Sequence, residues 1–179
     1  ITVSESLYHG THVAGTIAAV NNNGKGVNGI AGGSGKGDGV RIMSLQTLGS
    51  GDNGSSGAGL GGAVRAMKYA ADNGAVICQN SWGYNSKVSW NTWTRSSYGA
   101  LRRAMDYFIK YAGVDENGNQ TGPMKGGLII FAAGNDGVNY DSYPAADKKV
   151  VSVAACSYYG VASVYTNYGS WIDITAPGG

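Results

Sequence analysis

Apolar residues recur along this chain with two periods, and the order in which the periods alternate predicts most of the fold. Val13, Ile17 and Val20 are spaced by four and three residues, one face of a helix. The small residues Ala14, Gly15, Ala18 and Ala19 keep that helix thin, so another element can pack closely and its start, near His9, is expected to be buried. Leu60, Val64, Met67 and Ala71 repeat the helical spacing and run out at Asn73-Gly74, a pair suited to a C-terminal stop. Tyr98, Leu101, Met105, Phe108, Ile109 and Ala112 mark a third amphipathic helix.

Residues 75–80 read as a strand, and 127–133 and 150–155 are continuous apolar runs. Strands buried on both faces read this way, and such strands belong to parallel sheets. Residues 40–45, 161–166 and 171–175 are shorter strand candidates. The alternation of strand and helix predicts an α/β fold, three layers (α/β/α) around a mostly parallel sheet with right-handed crossovers. No repeat or linker divides residues 1–179.

Polar stretches separate these elements. Residues 21–30 are turn-rich, and 49–59 are nearly all Gly, Ser, Asn and Asp. Residues 84–94 are polar and aromatic. Trp90 and Trp93 there suit a stacking surface, although an insertion whose rings cover its own base is the more ordinary arrangement. Asp115 to Gln120 lacks the alternating carboxylates and closing glutamate of a calcium loop and reads as a turn.

Composition narrows the class. With 42% hydrophobic and 13% charged residues the chain is a packed globule, not a disordered segment. A net charge of +2, carried by scattered cations, gives no reason to expect nucleic acid or an anionic membrane as a partner. No run approaches the roughly 18 apolar residues of a membrane span. Cys78 and Cys156 lie in strand-like runs and read as buried thiols, with no disulfide framework around them.

The chemistry concentrates in two strings. Tyr8-His9-Gly10-Thr11-His12-Val13-Ala14-Gly15-Thr16 puts two histidines three apart at a helix start, and Phe131-Ala132-Ala133-Gly134-Asn135-Asp136-Gly137 ends a buried strand in a polar turn. The histidine pair alone is also compatible with a metal site, since both rings can share a helix face. Zinc needs a third and usually a fourth ligand, and no glutamate joins the pair, so the ligand count fails.

Together, and in this order, the two strings resemble the histidine and oxyanion-hole segments of the subtilisin-like serine proteases, the subtilases. Ala176-Pro177-Gly178 resembles the family's approach to its nucleophile. The resemblance implies that His9 is a general base, that His12 supports the fold, and that Asn135 donates its amide to the developing oxyanion. It implies an extended polypeptide substrate held as an added strand by Ser81-Trp82-Gly83 and by the glycine-rich loop around Gly51. The side-chain slot is then expected between Ser81–Gly83 and Ala132, Ala133 and Gly134, with Ser142 as its floor. The absence of charge from those segments predicts an apolar or broad preference, unless Asp141 turns inward.

Further expectations follow from the family pattern. In these proteases the loop after the histidine helix often wraps calcium, and Val20, Asn22 and Val27 stand where oxygens would be supplied, without a carboxylate. No Asp precedes His9 and no Gly-Thr-Ser-Met-Ala-like segment follows Gly178. The chain is therefore expected to be the central part of a catalytic domain and inactive alone, with self-association through exposed apolar surface. The family also implies an extracellular or cell-surface setting. The competing reading is a catalytically dead subtilase-like domain that binds peptides or plays a structural part.

Overall fold

The structure, a computed structural model, describes residues 8–47, 59–84 and 87–178. The chain forms two compact units, Ile1–Ala66 and Met67–Gly179.

In the first unit, helix α1 (His9–Ala18) forms where the apolar spacing places it. Contrary to expectation, none of its residues is buried. Its apolar side is only half covered, because what lies along it is a single strand of loop. Gly29 N donates to Ala19 O at 2.9 Å, Ile30 N to Thr16 O at 2.9 Å and Ala31 N to Ile17 O at 2.8 Å. The glycines that permit this approach are in the loop, not in the helix. A Cβ at Gly29 or Gly32 would run into the Ala18–Ala19 backbone, whereas Gly10 and Gly15 face open space. The strand expected at 40–45 is irregular. Val40 N bonds back to Ala31 O at 3.0 Å, and Val40 and Ile42 stay exposed; β-type residues form a strand only where a partner edge is offered.

Helix α2 (Gly59–Asp72) ends at Gly74, whose φ of +87° allows Ala75 N to reach back to Ala70 O at 3.0 Å. The second unit is built on four parallel strands in the order β1-β2-β3-β4: β1 (Ile77–Asn80), β2 (Leu128–Ala132), β3 (Val151–Cys156) and β4 (Ile174–Pro177). This is an α/β fold. The strands expected in 75–80, 127–133 and 150–155 became its first three, but burial alternates along β2 and β3, so only one face is fully covered where both were expected to be. The last strand begins three residues beyond the start expected at 171, because Trp171 and Asp173 serve Ser152 instead. Ser152 Oγ donates to Trp171 O at 2.7 Å, and Asp173 Oδ2 accepts from Ser152 N at 2.8 Å. The strand expected at 161–166 reduces to one antiparallel bridge, Cys156 with Ala162, and Val161 and Val164 are exposed.

Between β1 and β2 the chain makes a short helix, α3 (Trp90–Trp93), and the long α4 (Gly99–Tyr111). Leu101, Met105 and Phe108 of α4 are fully buried, as are Ile129 and Phe131 of β2. The Phe108 ring lies so close to Gly127 that no side chain fits there. The aromatic stretch covers its own base: Trp93 is 0% exposed and donates Nε1 to Asp147 Oδ2 at 2.8 Å, while Trp90 remains outside. The 115–120 turn closes as expected, with Asp115 Oδ1 accepting from Asn117 N and Asn119 N. The opposite face of the sheet presents Ile77, Leu128 and Ile174, all exposed. Both cysteines are free and half-buried.

Candidate functional site

His9 opens α1 and is exposed, behind an N-cap, Tyr8, that makes no side-chain cap. His12 is exposed one turn on, and its carbonyl accepts from Thr16 Oγ at 3.1 Å. Beyond the helix, residues 22–26 and 28 enclose a concavity of about 270 Å³. Asn22 stands at φ +57° with its N–H on Asn28 Oδ1 at 2.9 Å. The oxygens here are neutral amides and carbonyls, and Lys25 is among the lining residues. Calcium favours six to eight oxygens with anionic members. The loop's own residues do not make such a set, and among the described residues no three His, Cys, Asp or Glu side chains gather.

The second unit holds a cleft of about 40 Å³ past the carboxyl ends of β1 and β2, where open parallel sheets place ligands. Residues 82–84 line one side, 132–134 and Asp136 the other, and 142–145 with Asn167 the remainder. Trp82, Gly83, Ala132, Ala133, Gly134 and Ser142 thus share one concavity. Ser81 is half-buried next to it, with its Oγ accepting from Gln79 Nε2 at 2.9 Å. Asn135 follows Gly134 directly and is exposed at the cleft's edge. Asp141 is exposed and not part of the lining; the carboxylate that is part of it belongs to Asp136. Gly51 lies outside the described residues.

Two buried asparagines that the sequence reading did not single out fix these walls. Asn80, 5% exposed at the end of β1, donates Nδ2 to Cys78 O at 2.9 Å and Ile130 O at 3.2 Å. Its Oδ1 accepts Trp82 Nε1 at 3.0 Å, which together with the Phe131 ring, 5.2 Å away edge-on, sets the indole in the wall. Asn167, 1% exposed, holds the other wall from a segment between β3 and β4. The only sequence signal was an Asn directly after an apolar run and another among small polar residues; neither reveals a partner some 30 to 50 residues away.

Aromatic rings back the cleft. Trp82 meets Tyr84 edge-on, Tyr84 meets Tyr98, and Tyr143 stacks on Trp93. The Tyr84 hydroxyl is buried without a hydrogen-bond partner among the described residues. Burial, and then Tyr98, push its pKa up to about 12. Tyr143 is also raised, first by burial and then by Asp141 and Asp147. Both rings therefore present neutral phenols.

A parallel-sheet fold whose chain carries a histidine at a helix start and an Ala-Ala-Gly-Asn turn leaving a buried strand defines a class, and the comparison with known proteins gives the same one. The chain belongs to the subtilase family, whose model matches residues 1–179. It is 32% identical over 170 residues to the thermophilic serine proteinase of a Bacillus species, covering 95% of this chain and 34% of the relative. It is 36% identical over 170 residues to the cell wall-associated protease of Bacillus subtilis, covering 95% of this chain and 15% of that protein. Among solved structures, a protease of Pseudoalteromonas arctica superposes with a TM-score of 0.63 at 29% identity, over 93% of this chain and 42% of the other. The chain thus spans about a third or less of the length of these two curated relatives.

Proposed function

We propose that the protein carrying this chain is a serine endopeptidase that cuts extended polypeptides by acyl-enzyme chemistry, with residues 1–179 as part of its catalytic domain. His9 is the general base that takes the nucleophile's proton and returns it to the leaving amine. Asn135 donates its side-chain N–H to the oxygen that gains charge in the tetrahedral intermediate. The observation that carries this reading is the cleft of the second unit. Two wall segments from adjacent parallel strands converge on it, and the asparagine follows the second wall without a gap. Residues 81–83 accept the substrate as an added strand, and the slot behind them takes one side chain. The rings of Trp82, Tyr84 and Tyr143 support an apolar side chain there, and Asp136 at the edge supports tolerance of a basic one.

Family chemistry also needs an aspartate and a serine nucleophile, which residues 1–179 do not offer at the family's positions; this stretch alone does not cleave peptides. Taken alone, it self-associates through the exposed apolar face at Ile77, Leu128 and Ile174. The relatives described as extracellular or cell wall-associated support a setting outside the cell. Among the described residues no helix is long and apolar enough to cross a membrane. A calcium ion at 20–27 would need carboxylates from elsewhere in the protein.

The deciding experiment labels the full-length protein with a serine-reactive peptidyl phosphonate and assays peptide cleavage. Labelling and turnover are expected. The Asn135→Ala variant should then lose a factor on the order of 10²–10³ in kcat, the size known for this family's own oxyanion asparagine. A folded full-length protein that binds peptides but takes no label would establish the non-catalytic binding domain instead.

A further inference from the structure

The Asn167 carboxamide touches the 133–138 turn at every one of its polar positions. Nδ2 donates to Ala133 O at 3.0 Å and approaches Asp136 Oδ2 at 3.5 Å. Oδ1 accepts from Asp136 N at 2.9 Å and from Val138 N at 3.4 Å. The backbone N–H of Asn167 donates to Gly134 O at 3.0 Å. These contacts fall on both sides of Asn135. Neighbouring residues extend the seam: Gly137 N donates to Tyr165 O at 2.8 Å, and Tyr168 N to Val138 O at 3.0 Å. Gly134 makes the fit possible, because at φ +106° a Cβ there would run into Asn167 Nδ2.

A side chain this buried, with its donor and acceptor ends on one six-residue turn, does more than fill the core. Asn135 itself is exposed, and an exposed amide on a loose turn would have to find its orientation during the reaction. An oxyanion donor is effective because it is already aimed and needs no reorganisation as charge develops. We propose that Asn167 is a positioning residue for that step: it locks the 133–138 turn so that the Asn135 carboxamide is held ready for the oxyanion. This rests on the oxyanion role proposed above for Asn135. Asn167 also braces the wall at Ala133 and Gly134, so its loss raises KM as well, but the aiming of Asn135 is read in kcat, which senses the charge that develops only during the reaction.

The test is a double-mutant cycle of Asn135→Ala and Asn167→Ala in the full-length protein, with kcat and KM measured for one peptide substrate. Asn167→Ala is expected to lower kcat about 10- to 100-fold, as small misplacements of a catalytic group do. In the Asn135→Ala background it should cost almost nothing, since the group it aims is gone. If Asn167→Ala costs the same factor in both backgrounds, or acts on KM alone, the positioning role is overturned while the role of Asn135 stands. If Asn135→Ala itself leaves kcat unchanged, the oxyanion assignment falls and this inference with it. Should the alanine variant not fold, the isosteric Asn167→Asp decides. It keeps the acceptor for Asp136 N but sets a carboxylate oxygen against Ala133 O and Asp136. Burial and those neighbours raise its pKa, and the protonated acid restores a donor. Its kcat relative to wild type should therefore rise on acidification; a ratio flat with pH overturns the proposal.

Discussion

The two segments that identify the family sit in contrasting surroundings. The histidine helix of the first unit has no buried residue, and main-chain hydrogen bonds from a glycine-rich loop run along it. The asparagine turn of the second unit leaves a strand anchored by the fully buried Ile129 and Phe131 and is sewn down by a buried carboxamide. Equal clarity in sequence therefore does not mean equal embedding in structure. A motif made of small residues can be read at once and still rest on few side-chain contacts. A motif at a strand end inherits the rigidity of the sheet.

The sharpest way to separate the two is to remove the histidine. In the full-length protein His9→Ala should lower kcat on the order of 10⁶-fold, a figure from this family's own behaviour. Because the residue is exposed, thermal unfolding should stay within about 0.5 kcal/mol of wild type. A large drop in melting temperature would show that the helix start is structural after all. Next in size, Trp93→Ala in the second unit should cost about 3–5 kcal/mol in chemical denaturation, since the ring is fully buried and bonded to Asp147. Ile17→Ala in the half-covered helix should cost only about 1–2 kcal/mol, below the range for a fully buried isoleucine. Equal costs would erase the contrast.

An effect smaller than that of Trp93, about 1–3 kcal/mol, is expected from Asn80→Ala, which leaves the Trp82 indole N–H and the Ile130 carbonyl short of a partner. Trp82 fluorescence should broaden and shift as the ring loosens. The last is a pH effect, confined to the alkaline range. The Tyr84 phenol, ordinarily near 10.0, is pushed up to about 12 in the fold by burial and then by Tyr98. The raised value means its contribution is complete below pH 10 and is lost as pH climbs from there to about 12. Tyr84→Phe should flatten that part of the alkaline stability curve; an unchanged curve would mean the phenol is not shielded.

What the sequence made legible follows the same division. The helices Gly59–Asp72 and Gly99–Tyr111 were readable because burying one face writes a period, and the strands Leu128–Ala132 and Val151–Cys156 because they lie in continuous apolar runs. The pattern misled at 40–45 and 161–166, where apolar residues are exposed and nothing pairs with them in a ladder. It misled again at α1, where small residues suggested close burial that the loop glycines only half provide. Trp82, Gly83, Ala132, Ala133, Gly134 and Ser142, which the family resemblance had named, line one cleft. Asn80 and Asn167 were not legible, because their meaning lies in partners far along the chain, and an asparagine in a polar stretch looks like any turn residue.

The span of the Asn167 contacts, 29 to 34 residues back along the chain, has a consequence for biosynthesis. On the ribosome, residues 133–138 emerge well before the amide that fastens them has been translated. Until that later stretch leaves the exit tunnel and folds back, the turn lacks its clasp, and at some 5–20 residues per second the interval lasts about two to seven seconds. Maturation of this part of the molecule is thus timed by elongation, with competence arriving only after the downstream residues dock.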